Sequence, residues 1–131
     1  MKWSDGLVED NRTIVEILKE AKNVIENPEN WCQGVLYRRE DGSSAISAHG
    51  DGACRFCSIG AVHRAVPWGR NKTSENVRKA ITYLQRAIDL NPHGPFGAAI
   101  GTFNDMNPHE VVMEMWDDAI RIAEEENESN I

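Results

Sequence analysis

The positions of the prolines limit the fold of this chain more than any other feature of its sequence. Four of the five prolines close or open a segment whose apolar residues recur at three- and four-residue steps, which is typical of amphipathic helices. The residue before a proline avoids the helical conformation, so Asn27-Pro28 ends the first segment and Asn91-Pro92 a later one. Pro67 ends a third segment, and Pro108 marks the start of the last.

The apolar stripes predict which residues of these helices face a core. In the first helix they are Ile14, Ile17, Leu18, Ala21, Val24 and Ile25. A later helix, capped by Thr73 or Ser74, carries Val77, Ala80, Ile81, Leu84, Ala87 and Ile88. The last helix has Asn107 as its cap, Pro108 in its first position and Glu110 three residues after the cap. Its core positions are Val112, Met115, Trp116, Ala119, Ile120 and Ala123.

A small β-hairpin is predicted between the first two helices. The strand formers of 35–37, the Asp41-Gly42 turn signal and the return strand Ala45-Ile46 favour it. We expect residues 54–66 (CRFCSIGAVHRAV) to form a helix and the glycine-rich segment 93–107 to be an irregular loop. The fold class is therefore α+β, with about four helices around one small hairpin. We expect a single domain over 1–131 with flexible ends at 1–12 and 125–131.

Charge and hydropathy exclude several functional classes. The net charge of −7 disfavours general nucleic-acid binding, and no apolar run is long enough to cross a membrane. The acidic start of the chain does not fit a signal peptide, and three cysteines, an odd number, favour free thiols; we therefore expect a cytoplasmic protein.

The charge is distributed unevenly along the chain. Residues 32–100 carry nine basic and five acidic side chains, whereas 101–131 carry one basic and nine acidic. These two parts either attract each other within the monomer or serve binding. In the second case the acidic last helix docks on a basic protein partner, or the basic middle holds a small anionic ligand. A homo-oligomer is also open.

The three cysteines allow three interpretations. Cys54 and Cys57 have the spacing of half a structural zinc site, to which Cys32 and either His49 or His63 would add ligands. Alternatively, Cys57 is a nucleophile with a lowered thiol pKa, and His63 or His109 is its base. We favour a third interpretation, in which the thiols are buried as small apolar groups and no cofactor is bound.

Two further groups of polar residues are candidates for ligand binding. Asn104 and Asp105 lie before the last helix, where such side chains usually accept hydrogen bonds from free backbone N–H groups. They could instead belong to a ligand pocket with His109 or Glu110. Trp68 is surrounded by a basic cluster that would hold a phosphate or stack on a base, or simply face solvent: Arg64, Arg70, Lys72, Arg78 and Lys79.

Three stretches together resemble a family of small bacterial and phage proteins catalogued as a domain of unknown function. They are the WCQG of 31–34, the FCSIGA of 56–61 and the FND of 103–105, followed by a last helix that begins near EVV. The resemblance covers about 13–124. It implies that the shared positions are Trp31, Gly34, Phe56, Cys57, Gly60, Ala61, Asn104 and Asp105. The occurrence of the family in phages implies that some members act on host proteins or host signals.

From these observations we expect a non-enzymatic binding or interaction protein, phage-encoded, that acts on a host protein or a small anionic signal molecule. The alternative is a small hydrolase or transferase with a pocket around Cys57, His63 and Asp105. The ligand-binding residues that we predict are Trp31, Arg55, Cys57, His63, Arg64, Trp68, Asn104 and Asp105.

Overall fold

A computed structural model describes residues 12–66, 71–95 and 97–129 of the chain. In these residues five helices follow one another as α1 (Ile14–Ile25), α2 (Ser58–Ala65), α3 (Asn71–Leu90), α4 (Ile100–Met106) and α5 (His109–Ser129). A 3-10 turn at Pro28–Asn30 and two strands, β1 (Tyr37–Arg39) and β2 (Ala53–Phe56), lie between α1 and α2. The predicted α+β class is confirmed.

The first helix begins and ends where local chemistry requires. The hydroxyl oxygen of Thr13 accepts a hydrogen bond from the N–H of Glu16, while the Glu16 carboxylate accepts one from the N–H of Thr13. This reciprocal pair satisfies two N–H groups that a helix start leaves free. The helix ends at Ile25, just before Asn27-Pro28 as the sequence predicts.

The predicted count of four helices is wrong, because α4 lies in the segment expected to be an irregular loop. Its buried residues Ile100, Phe103 and Asn104 follow helical spacing, but one of the three is polar, so the pattern carries no apolar stripe. Asn104 and Asp105 are therefore helical rather than in a loop.

The predicted hairpin is only partly correct: its first strand, expected at 35–37, is found at Tyr37–Arg39, and its second lies elsewhere. β1 pairs antiparallel with β2, with Tyr37 opposite Phe56 and Arg38 opposite Arg55. Ser44 makes only an isolated antiparallel bridge to Arg38, on the other side of β1. The Tyr37 and Phe56 rings pack edge to face across this pairing. Residues 53–56 therefore form a strand, and α2 begins at Ser58 rather than near Cys54.

The starts of α3 and α5 also differ from prediction. Helix α3 begins at Asn71, before both Thr73 and Ser74, so neither residue is at its start. Helix α5 begins at His109, and the carbonyl of Pro108 accepts hydrogen bonds from the N–H groups of Val111 and Val112. The Asn107 amide is not the predicted cap but donates to the carbonyls of Gly94 and Phe103. Of the ends expected to be flexible, 125–129 is helical, and 1–11 and 130–131 lie outside the described residues.

One hydrophobic core joins all five helices. Helix α1 packs against α2 and α5, and α3 packs against α5. The largest fully buried side chains are Trp116, Phe103, Ile17, Leu18, Ile25, Leu84 and Met115. Within the described ranges, no helix is both long enough and apolar enough to cross a membrane.

Candidate functional site

Asn104 lies at the centre of a buried polar network, which joins α4 to the start of α2 and to the segment after the 3-10 turn. Its Oδ1 accepts hydrogen bonds from Trp31 Nε1 at 2.9 Å, Ser58 N at 3.0 Å and Ser58 Oγ at 2.9 Å. Its Nδ2 donates to the carbonyl of Cys32 at 3.0 Å and to Asp105 Oδ1 at 3.1 Å. Asn104 is fully buried, and its side-chain oxygen and nitrogen both have hydrogen-bond partners within the protein.

The network extends in two directions from Asn104. Ser58 Oγ accepts a hydrogen bond from Trp116 Nε1 at 3.1 Å, and both residues are fully buried. Asp105 Oδ1 accepts a hydrogen bond from the N–H of Gly34 at 2.9 Å. Asn104 and Asp105 thus accept hydrogen bonds from backbone N–H groups, as predicted, but these groups belong to distant segments rather than to the next helix. Three of the predicted ligand-binding residues, Trp31, Asn104 and Asp105, are thus brought together by hydrogen bonds.

Cys57 lies beside this network and packs as part of the core. It is the N-cap of α2, its Sγ accepts a hydrogen bond from Gly60 N at 3.4 Å, and it is only 4 % exposed. Burial raises the pKa of the Cys57 thiol, which is opposite to the lowering that the nucleophile hypothesis needs. The thiol is therefore a poor nucleophile in this state.

His63 forms a separate cluster with Tyr37 and His49. Its Nδ1 is 2.6 Å from the Tyr37 hydroxyl, and its carbonyl is 2.7 Å from His49 Nε2. Burial lowers the pKa of His63, and the charge of His49 lowers it further; burial also raises the pKa of Tyr37. We therefore assign a neutral His63 whose Nδ1 accepts the hydrogen bond from Tyr37.

The zinc hypothesis gains no support from the arrangement of the thiols. Cys32 and Cys57 are buried, whereas Cys54 on β2 is exposed. Among 12–66, 71–95 and 97–129, no three histidine, cysteine, aspartate or glutamate side chains are grouped as a metal site requires. His109, the other candidate base for Cys57, has its Nε2 2.8 Å from the carbonyl of Ile25 and its ring edge against Trp31.

The predicted basic cluster can be followed only in part. Trp68 and Arg70 lie outside the described residues, as does the side chain of Lys72. The Arg64 guanidinium donates to the carbonyl of Ala48 at 3.1 Å and lies 6.0 Å from the centre of the Phe56 ring. Arg64 thus binds the 44–48 segment through its guanidinium group.

Basic residues of two other helices lie against the acidic last helix. Lys22 contacts Asp117 at 2.9 Å, Lys19 contacts Glu124 at 3.1 Å, and Arg86 pairs with Glu126. The side-chain hydrogen bond and charge of Asp117 raise the pKa of Lys22 despite some burial. The negative charge of α5 is thus partly balanced within the monomer, which leaves less of it for a basic partner.

The outer side of the hairpin combines exposed apolar side chains with arginines. Arg38 lies opposite both Ser44 and Arg55. Leu36 lies two positions before Arg38 in the chain, and Ile46 lies two positions after Ser44. We call the surface of these residues the hairpin face: Leu36, Arg38, Ser44, Ile46 and Arg55. Leu36 is 41 % exposed and Ile46 is 85 % exposed.

Both arginines of the hairpin face donate to backbone carbonyls. Arg38 donates to Gln33 and Gly42, and Arg55 donates to Glu29 and Arg39. Neither arginine forms an ion pair within the part of the chain that the structure describes. Two like charges on directly opposite positions of a strand pair repel each other, so the Arg38–Arg55 pairing is unfavourable in the free protein.

A shallow depression of about 440 Å³ borders the hairpin face at Arg55. Its lining residues are Pro28, Glu29, Asn30, Glu40, Cys54 and Arg55. Two carboxylates against one guanidinium make it a poor site for a small anion.

The predicted site residues therefore divide into three places. Trp31, Cys57, Asn104 and Asp105 surround the buried network, His63 and Arg64 lie near the end of α2, and Arg55 lies on the hairpin face. Sequence reasoning placed Leu36 and Ile46 on strands without predicting a function for them.

Comparison with known proteins identifies a family but no function. A family model described as a family of unknown function (DUF6197) matches residues 9–122. No curated protein and no solved structure matches the chain.

Proposed function

The chain belongs to this family of unknown function, and we propose that it is a non-enzymatic interaction protein that docks an acidic protein surface on its hairpin face. The observation that carries the proposal is the exposure of Leu36 and Ile46, each two positions along the chain from one member of the Arg38–Ser44 pair, with Arg55 opposite Arg38. Apolar anchors with arginines are the composition that protein interfaces favour.

The apolar part of this face supplies the driving force. Burying an exposed isoleucine or leucine side chain in a partner contributes about 1.5–3 kcal/mol. Ile46 is also held in place, because its N–H donates to Asp51 Oδ2 at 2.8 Å and Arg39 contacts the same Asp51 carboxylate. Little conformational freedom is lost when a side chain on such a pinned segment is buried.

The charged part of the face selects the partner. Arg38 and Arg55 repel each other in the free protein, so carboxylates on a partner would relieve this repulsion as well as pair with the arginines. The partner therefore offers an apolar pocket edged by acidic residues. The resemblance to phage proteins makes a host protein the first partner to look for, and free thiols fit an encounter in the cytoplasm.

Two other modes of binding fit this region less well. A small anion would meet Glu29 and Glu40 beside Arg55. An extended peptide added as a further strand would need the free edge next to Ser44. Arg39 Nη1 already donates to the carbonyl of Ser44 there, and Asp51 takes the N–H of Ile46.

The residues of the enzyme alternative are engaged in other contacts. Cys57 is buried with a raised pKa, and Asn104 and Asp105 are engaged with backbone groups. His63 is bonded to Tyr37 rather than to Cys57. These contacts favour binding over catalysis as the proposed role.

Site-specific photo-crosslinking tests the proposal. A photoreactive amino acid replaces Ile46 in one version of the protein and Met106, which is 66 % exposed on α4, in a control version. We expect one partner to be captured from position 46 and not from position 106. The partner is then identified by mass spectrometry, purified and titrated with Ile46→Glu and Arg55→Gln variants.

Each variant should weaken the affinity for that partner about tenfold or more, and Arg55→Gln should also reduce the salt dependence. Equal capture from both positions would overturn the proposal. So would a purified partner whose affinity changes neither with these variants nor with salt.

A further inference from the structure

The segment that follows the 3-10 turn runs beside the end of β2 in parallel. Trp31 and Phe56 form a parallel bridge, and Cys32 N donates to the carbonyl of Phe56 at 3.0 Å. The next residue on each segment is a cysteine, Cys32 on one and Cys57 on the other. Neighbouring strands are about 4.7–4.9 Å apart, which lies inside the Cα–Cα range of about 4.4–6.8 Å that a disulfide requires.

Asn104 holds the two cysteine-bearing segments together a second time. Its Nδ2 donates to the carbonyl of Cys32 at 3.0 Å, and its Oδ1 accepts from Ser58 N at 3.0 Å. These are the peptide units that directly follow Cys32 and Cys57, so a single amide spans both. The two backbones therefore cannot separate without breaking buried hydrogen bonds.

Both thiols are buried at this junction. Cys32 is 7 % exposed and Cys57 is 4 % exposed, while Cys54 is exposed on β2. Because side chains alternate along extended chain, Cys32 and Cys57 both point away from the side that carries Trp31 and Phe56. The fold thus pairs Cys32 with Cys57 and leaves Cys54 apart.

We propose that Cys32 and Cys57 are a redox pair that a hydroperoxide converts into a reversible disulfide. The thiolate of one cysteine attacks the peroxide oxygen, which breaks the O–O bond and gives a sulfenic acid and, for hydrogen peroxide, one water. The second thiol then displaces water from the sulfenic sulfur and forms the S–S bond. Two thiols are oxidised, one peroxide is reduced, and two water molecules leave.

Burial determines how fast this reaction is. It raises the pKa of Cys57, and it raises the pKa of Cys32 to about 11, with the charge of Cys57 adding to the effect. Because the thiolate is the attacking species, the disulfide should form slowly at neutral pH and faster in mildly alkaline buffer. The pair therefore responds to sustained rather than brief oxidation.

The test uses the Cys54→Ser variant, which removes the exposed thiol and leaves this pair. The folded protein is treated with hydrogen peroxide in mildly alkaline buffer and quenched. Remaining thiols are alkylated under denaturing conditions, and the mass is measured. We expect a monomer lighter by two hydrogen atoms that takes up no alkylating reagent, and dithiothreitol should restore both thiols.

Peptide mapping of the oxidised natural sequence should show a Cys32–Cys57 bridge, and the Cys32→Ser variant should lack it. Two unreacted thiols in the folded Cys54→Ser protein would overturn the proposal. A covalent dimer, a sulfinic acid as the main product, or a Cys54–Cys57 bridge in the natural sequence would overturn it too. None of these results depends on the hairpin face, so this proposal and the proposed function can fail separately.

Discussion

Replacing Gly60 by alanine tests the contact between β1 and α2 that positions the hairpin face. Gly60 lies in α2 directly beneath the start of β1. An added Cβ would be 2.1 Å from the carbonyl oxygen of Leu36, 3.1 Å from its carbonyl carbon and 3.2 Å from Tyr37 Cδ1. Because the first two atoms are backbone, no side-chain rotation can make room.

Two opposing effects determine the magnitude. Alanine favours a helix over glycine by about 1 kcal/mol, which alone would stabilise α2. Moving β1 away costs about 1–3 kcal/mol for overpacking. It also breaks the 3.1 Å hydrogen bond from Cys57 N to the carbonyl of Leu36, at a further cost of about 1–3 kcal/mol. We therefore expect the free energy of unfolding to fall by about 1–5 kcal/mol.

Urea unfolding followed by far-UV circular dichroism measures this change, and Gly101→Ala is the matched control. Gly101 is also helical, in α4, but a Cβ there would meet no atom within 4 Å. The control should be neutral or more stable by up to about 1 kcal/mol. If Gly60→Ala unfolds at the same urea concentration as Gly101→Ala, the close approach of β1 to α2 is refuted.

Three further variants test other contacts. Asn104→Ala should lower the free energy of unfolding by about 3–5 kcal/mol in the same urea assay, because it leaves several buried groups without a hydrogen-bond partner. Asn104→Asp should not be milder at neutral pH, because it keeps Oδ1 but replaces the Nδ2 donor by a carboxylate oxygen next to Asp105. Burial lowers the pKa of His63, so the unfolded chain binds a proton where the native state does not; stability should therefore fall as the pH drops below about 6.5, and less steeply in His63→Gln. An equal pH dependence of stability in the natural protein and in His63→Gln would contradict a neutral, buried His63. Lys22→Ala should change stability by less than about 1 kcal/mol, since its partner Asp117 is on the surface; a loss of several kcal/mol would contradict this estimate.

The candidate site shows where sequence reasoning succeeds and where it stops. Trp31, Asn104 and Asp105 were predicted to belong together, and the structure joins them through direct hydrogen bonds. Their proximity could be inferred only through the family resemblance, since Trp31 and Asn104 are 73 positions apart. Arg55 and His63, predicted for the same ligand, lie elsewhere because β2 and the end of α2 carry them away from α4.

Helix α4 shows the same limit within the fold. Burying an asparagine side chain costs free energy unless its hydrogen bonds are satisfied. From the sequence alone Asn104 is therefore predicted to lie in a loop. Its partners, Trp31 and Ser58, come from segments that the sequence does not link to it. The buried side of α4 follows helical spacing only when Asn104 is included as a core residue.

The sequence by itself determined the long helices, because apolar spacing, capping residues and prolines act within a few positions along the chain. α1 is the clear case, with its capping box at Thr13 and its end before Pro28. Tertiary structure decided which segment pairs with β1, where Cys32 and Cys57 meet, and which apolar residues stay exposed. Such outcomes depend on hydrogen bonds and packing between distant segments, whose partners exist only once the chain has folded.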